Sequence, residues 1–164
     1  MSFLTPFRSR RLQACLLALA AGAAALPAGA TLGGDAASVE ADRIALQATA
    51  LPAVAGAGYS VAAFTLPSGT VVREFVAPAG TVFGVAWEGP LIPDLKQLLG
   101  ATHFAAVGES TRNRNREGRR GPMALRPAGD AGLVMESSGH MRAFAGRAWL
   151  APQLPAGVDA DAVR

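Results

Sequence analysis

The sequence predicts an α+β domain whose main element is an antiparallel β-meander sheet of about six strands, with one short helix packed on it. Three segments rich in Val, Phe, Thr and Trp are each bounded by turn residues, as strands are. The same Pro-x-Gly-Thr-Val turn follows two of them. A tight turn repeated in series joins neighbouring antiparallel strands and predicts up-down-up order.

The first three strands are predicted at residues 59–66, 71–77 and 82–87. The turn pattern begins at Pro67 and returns at Pro78. Proline presets φ for the second residue of a type I turn, and Gly69 and Gly80 supply the left-handed conformation that closes a bulged hairpin. These two turns predict where the first strand ends, where the second begins and ends, and where the third begins.

Helical signals lie on either side of the meander. Residues 31–58 are predicted to hold a short helix, with Ser38 as its N-cap, and then a small-residue linker at residues 53–58. After the third strand, Pro93 suits a first helical position and leucines follow at i, i+3 and i+4 spacing. Gly100 is a predicted C-cap, with continuation through Phe104 as the alternative.

Residues 59–164 form the predicted β-rich domain, and residues 108–121 are its predicted mobile loop. Because this loop has almost no apolar side chains, it cannot bury itself. Three more strands are predicted at residues 122–126, 133–137 and 140–150, with turns at Gly129/Asp130 and at Ser138-Gly139. The loop carries five arginines: Arg112, Arg114, Arg116, Arg119 and Arg120.

Residues 1–30 have the layout of a secretory signal peptide. Arg8, Arg10 and Arg11 form a basic start, residues 12–26 are mostly apolar, and small residues follow. Cleavage is predicted between Ala30 and Thr31. The apolar run is shorter than the about 20 residues that a membrane-spanning helix needs. The sequence therefore predicts an exported protein, periplasmic or secreted, that contacts a membrane only through this peptide during export.

Cleavage changes the charge. The full chain has 15 basic and 12 acidic residues, a net charge of +3 and a pI near 10.0. Three arginines leave with the signal peptide and no acidic residue does, so residues 31–164 are neutral in sum. Cys15 is the single cysteine and leaves as well, so no disulfide is expected. A neutral exported chain is not expected to bind nucleic acid.

Catalytic and metal-binding signals are sparse. Beyond residue 30 the chain has only two histidines and no cysteine, so no metal site and no cofactor is expected. Ser138 and His140 share a face of a predicted strand, and an orienting acid would have to come from Glu74 or Glu136 on another strand. A small periplasmic hydrolase that uses His140 is therefore an alternative hypothesis, and whether the protein is an enzyme stays open, with the balance against it.

The predicted strand at residues 140–150 carries the most functional side chains. Gly146 is interpreted as a bulge that re-aims the residues after it. As a structural alternative, an arginine of this strand forms a cross-strand ion pair with Glu74 or Glu88. The leading hypothesis is a non-enzymatic binding or assembly module whose partner is another envelope protein. Its candidate contact residues are Trp87, His140, Arg142, Arg147 and Trp149.

The arginines of residues 108–121 support a third hypothesis. No aromatic residue lies between them for a base to stack on, which disfavours nucleic acid. Guanidinium groups pair well with phosphates, so an anionic surface of lipid or lipopolysaccharide is the predicted partner. A solvated linker is the structural alternative, because Asn113, Asn115 and Glu117 dilute the charge.

Several short motifs occur in a characteristic order. They are Leu32-Gly33-Gly34, residues 68–76 and 80–83, Trp87-Glu88-Gly89-Pro90, residues 93–95 with 98–100, and residues 139–144 with 146–148. In this combination the chain resembles a bacterial family of exported proteins catalogued as a domain of unknown function (number 2844). The resemblance covers nearly all of residues 31–164. It implies a small envelope or secreted protein of a Gram-negative bacterium, and it implies no reaction, cofactor or catalytic residue.

Overall fold

An antiparallel sheet is the frame of the protein, and two helices lie against one of its faces. The computed structural model describes residues 32–128 and 132–164. The predicted signal peptide with its Ala30–Thr31 cleavage site and the predicted turn at Gly129/Asp130 lie outside these residues. Within them the helices are α1 (Ala36–Ala45) and α2 (Leu95–Arg116), and the strands are β1 (Thr49–Ala50), β2 (Val54–Gly56), β3 (Tyr59–Thr65), β4 (Val71–Val76), β5 (Val82–Gly89), β6 (Met123–Leu125), β7 (Leu133–His140) and β8 (Ala143–Leu150).

The predicted class, α+β with an antiparallel sheet, is confirmed. In the described ranges the sheet has eight strands in the order β1-β3-β4-β5-β8-β7-β6, and β2 pairs with β3 beside β1. The two strands beyond the predicted number are β1 and β2. β2 lies in the predicted linker, because Gly58, at φ 83°, turns the chain back into β3.

The predicted meander is confirmed as β3, β4 and β5. Gly69 and Gly80 have φ values of 86° and 83°, as the turn chemistry requires. Each turn is closed by hydrogen bonds, from the Leu66 N–H to the Thr70 carbonyl and from the Ala77 N–H to the Thr81 carbonyl, both 2.8 Å. The turn residues therefore set the register where the strands leave each turn, and a bulge between Phe75 and Val76 then shifts β4 against β5 by one residue.

The N-cap of helix α1 lies three residues before the predicted one. Asp35 is the cap, and its carboxylate accepts from the N–H groups of Ala37 and Ser38. Ser38 lies in the first turn instead. One turn after Ser38, the buried Asp42 accepts a hydrogen bond from Gln97 Nε2, which fixes α1 against α2.

The prediction of a mobile loop at residues 108–121 is wrong for its first part, since α2 continues to Arg116. The backbone leaves helical geometry only at Gly100, at φ 82° and ψ 162°, and resumes after it. Val107, Thr111 and Arg114 then recur at i, i+4 and i+7 on one helix face. Val107 is buried, the Thr111 hydroxyl donates to its carbonyl, and arginine is itself a good helix former.

The turn before the last strand also differs from the prediction. The chain reverses at Met141 and Arg142, at φ 51° and 71°, whereas Ser138 and Gly139 lie within β7. The predicted strand at residues 140–150 is therefore shortened to β8. Non-glycine residues seldom adopt positive φ, so composition alone favoured the Ser-Gly pair.

Apolar side chains pack on both faces of the sheet. The helix face carries Val72, Val85 and Trp87 and packs against α1 and α2. The opposite face carries Phe75 and Trp149 and is partly covered by residues 154–164, here called the tail, so we call it the tail face. Among the described residues, no helix is long and apolar enough to cross a membrane.

Candidate functional site

Strand register divides the tail face into an apolar half and a polar half. Residues two apart on a strand share a face, so each cross-strand row has its own composition. The apolar row crosses Phe75, Gly84, Trp149 and Val134. The next row crosses Arg73, Ala86, Arg147 and Glu136, and the third crosses Glu88, Ala145 and Ser138.

Arg147 lies at the boundary between these halves and holds the tail on the sheet. Its Nε donates to Glu136 Oε2 at 2.8 Å, and its Nη1 and Nη2 lie 3.3 Å from Asp161 Oδ1. Nη1 also donates to two carbonyl oxygens of the tail, at 3.3 and 3.4 Å. The guanidinium carbon stands 5.0 Å from the centre of the Trp149 ring.

The charge state of Arg147 follows from these contacts. Burial lowers the pKa of Arg147, but its hydrogen bonds to Glu136 and Asp161 and their negative charges outweigh burial and raise that pKa above its usual value. The group stays charged at every physiological pH. All three of its nitrogens donate within the protein, so Arg147 is a structural anchor between the sheet and the tail.

A pocket of about 420 Å³ opens on the polar half of the tail face. The lining includes the small residues Ala86, Ala145 and Gly146. The strands therefore form the floor of the pocket, and larger side chains form its walls. Three charged side chains besides the Arg147–Glu136 pair line it: Arg73 from β4, Glu88 from β5 and Arg164 from the tail.

These three charges are not neutralised within the protein. None of them forms an ion pair or a side-chain hydrogen bond with another described residue. Arg73 and Glu88 are diagonal neighbours on one face, because Arg73 pairs with Ala86 and Glu88 with Val71. Glu88 and Arg164 are exposed, and Arg73 is half-buried. The pocket therefore presents two cations and one anion to a ligand.

The structure brings together only two of the five predicted contact residues. Arg147 packs on Trp149, which is buried under it. Trp87 contributes to the pocket lining, but its ring is 1% exposed and packs in the core of the helix face, away from Arg147 and Trp149. His140 and Arg142 lie exposed at the β7–β8 hairpin tip. The five residues do not form one site.

Two structural expectations for this strand are corrected. Gly146 forms no bulge: it pairs in regular register with Trp87 on one side and Ser137 on the other. A Cβ there would stand 2.2 Å from Trp87 Cζ2, so glycine is needed for the approach of the indole ring. The expected ion pair of Arg147 forms with Glu136 and Asp161, whereas Glu74 is buried on the helix face.

The five arginines of the predicted loop fall into two groups, because α2 includes the first three and ends at Arg116. Arg114 Nη2 donates to the carbonyl oxygens of Gly121 and Pro122 and so ties the segment before β6 to the end of α2. Arg119 pairs with Glu117 at 3.3 Å. The remaining members, Arg112, Arg116 and Arg120, are exposed. Cations at a helix C-terminus also stabilise the helix dipole, which gives the cluster a structural role.

Among the described residues, His140 and Ser138 are not assembled into a catalytic set, and no metal cluster is present. The His140 side chain has no hydrogen bond or ion pair with another described residue, and Ser138 stands two residues before it on β7. No group of three or more His, Cys, Asp or Glu in residues 32–128 and 132–164 is placed to hold a metal ion.

Sequence reasoning missed Arg73, Glu88 and Arg164 as site residues. Counting along β4 and β5 from the second turn would place Arg73 and Glu88 on opposite faces. A bulge between Phe75 and Val76 shifts the register by one residue and brings them to the same face. No sequence signal indicates that the tail folds over β5 and β8 and carries Arg164 to them.

Comparison with known proteins gives one finding. No curated protein and no solved structure matches the chain. One family matches residues 28–163, which is more than four fifths of the sequence, and it is described as "Protein of unknown function (DUF2844)". The resemblance seen in the short motifs is thereby confirmed, and the chain belongs to this family of unknown function.

Proposed function

We propose that the protein is a non-enzymatic binding protein that holds a small ligand in the pocket on the tail face. The observation that carries this proposal is the set of three charges around the pocket, on Arg73, Glu88 and Arg164, with no partner among the described residues. A concave site with a few convergent polar groups is the usual form of a small-molecule site.

The anchoring of the tail supports this proposal. Arg147 pairs with both Glu136 and Asp161 and fixes the tail, so the wall that carries Arg164 is formed before any ligand arrives. A preformed site loses less conformational entropy when its ligand binds.

Export to the periplasm or beyond is the second part of the proposal. It rests on the basic start, the apolar run and the small residues of positions 1–30. The measurement is N-terminal sequencing of the protein recovered outside the cytoplasm, with Thr31 expected as the first residue. A chain that retains Arg8 to Arg11 would contradict export by cleavage.

The binding proposal is tested by blocking the pocket. Ala145 lines it and is exposed, so Ala145→Trp should fill the pocket while leaving the fold intact. Ala143→Trp makes the same change at the exposed hairpin end, outside the pocket. Compounds from a library of charged metabolites that raise the melting temperature should lose this effect in Ala145→Trp and keep it in Ala143→Trp. If the compounds stabilise both variants equally, or neither of them, the pocket is not the binding site.

Anionic-surface binding is a second candidate, favoured by the helical arrangement of the arginines. Arg112 and Arg116 stand one turn apart on the exposed side of α2 and can face one surface together. The variant Arg112→Gln/Arg116→Gln should reduce co-sedimentation with phosphatidylglycerol vesicles at low salt. Arg126→Gln/Arg142→Gln removes the same charge from other exposed positions. If both variants bind equally, the cluster is not a specific surface.

A further inference from the structure

We infer that the pocket takes a zwitterionic ligand of about dipeptide size, with its carboxylate on Arg73 and Arg164 and its ammonium on Glu88. This inference rests on the proposed function and names the class of ligand.

The sign and placement of the charges indicate the class. A purely anionic ligand would be repelled by Glu88, and a purely cationic one would meet two arginines. Arg73 and Glu88 stand as diagonal neighbours on β4 and β5 without bonding to each other. A molecule with one positive and one negative end neutralises both of them at once.

The lining of the pocket indicates the size. Ala145 is exposed and projects no more than a methyl group, so an extended backbone can lie over β8 between the charged walls. A single amino acid would fill only part of the volume of about 420 Å³ and would be held loosely. The backbone amides beneath belong to the β5–β8 and β7–β8 ladders, so recognition must come from side chains.

Arg147 helps to position Arg164, the third of these charges, and does not itself bind the ligand. Its nitrogens donate to Glu136, Asp161 and the tail carbonyls. Val163 is fully buried, and its methyl carbons fill the space where a Cβ on Gly84 would stand. These two contacts hold Arg164 at the pocket rim, so the tail forms a wall of the site.

The test compares alanyl-alanine with its N-acetylated form and its C-terminal amide, by calorimetry on the purified protein at low salt. The free dipeptide should bind, and each cap should weaken binding at least about tenfold, because it removes one charge pair. Arg73→Gln should reduce the penalty of amidation and keep that of acetylation. Glu88→Gln should abolish the penalty of acetylation and keep that of amidation.

The outcomes separate this inference from the proposed function. Equal affinity for all three compounds, or no dipeptide binding at millimolar concentration, would overturn the zwitterionic class of ligand. The proposed binding function would then still be tested by the melting-temperature shifts with the metabolite library. Dipeptide binding that survives Ala145→Trp as fully as Ala143→Trp would place the ligand elsewhere and overturn both.

Discussion

Arg147 and Glu136 face each other directly across the β7–β8 pair, and their side chains are joined by a 2.8 Å hydrogen bond from Nε to Oε2. The same guanidinium reaches the tail through Asp161 and two carbonyl oxygens. One side chain thus connects the sheet, the tail and the edge of the pocket.

The first prediction concerns this anchor. Arg147→Gln should lower the free energy of unfolding by about 1–2 kcal/mol, since Glu136 and Asp161 are themselves partly solvated. The tail should loosen locally, so the Val163 N–H should exchange faster with solvent by NMR. Arg142→Gln, in the exposed turn, is the control and should change neither quantity. Unaltered exchange at Val163 in Arg147→Gln would contradict the anchoring role.

The second prediction compares two glycines that receive the same methyl group. Gly146→Ala should destabilise the protein by about 1–3 kcal/mol, because the new Cβ would overlap the buried Trp87 ring at 2.2 Å. Gly108→Ala lies in α2, where the Cβ would have open space except for Arg112 Nη1 at 3.5 Å. It should stabilise by about 0.5–1 kcal/mol through helix propensity. Urea denaturation measures both, and effects of the same sign would contradict this account of Gly146.

The third prediction concerns the buried valine of the tail. Val163→Ala should cost about 1.5 kcal/mol, because two methyl groups leave a fully buried site above Gly84. Val54→Ala makes the same chemical change at a position that is 61% exposed and should cost less than about 0.5 kcal/mol. Thermal denaturation of the two variants decides the matter. Equal costs would mean that the tail does not pack on β5 in solution.

The fourth prediction locates the start of α1. Asp35→Ala should cost about 1 kcal/mol, because its carboxylate accepts from two N–H groups at the helix N-terminus. Ser38→Ala removes only a hydroxyl that donates to the Asp35 carbonyl and should cost about 0.5 kcal/mol or less. A larger loss for Ser38→Ala in urea denaturation would restore Ser38 as the cap.

The sequence was informative where local chemistry decides the structure. The Pro-x-Gly-Thr-Val turns predicted β3, β4 and β5 closely, because Gly69 and Gly80 must adopt positive φ whatever surrounds them. It was misleading where a turn lacks its usual residues, as at Met141 and Arg142. There the long pairing of β7 with β8 holds two unfavourable residues in the turn.

The candidate site was predicted only in part for a related reason. Arg147 and Trp149 were identified on the predicted last strand, after a glycine interpreted as a bulge. They share a face because they are two apart in a regular strand, and this relation needs no tertiary information. Trp87 was assigned to the same site, although strand parity places it on the other face. Residues 108–116 were assigned to a loop, because their helix depends on packing of Val107 and Thr111 against the rest of the protein.

The sequence by itself determined the fold class, the meander, the charge balance and the family. These depend on turn geometry, residue composition and short motifs, which act within a few residues along the chain. Only the tertiary structure decided that the tail folds over the sheet and that Arg73, Glu88 and Arg164 border one pocket. Their proximity depends on pairings between distant segments, and those follow from burial of Val163 and Trp149 together with the contacts of Arg147.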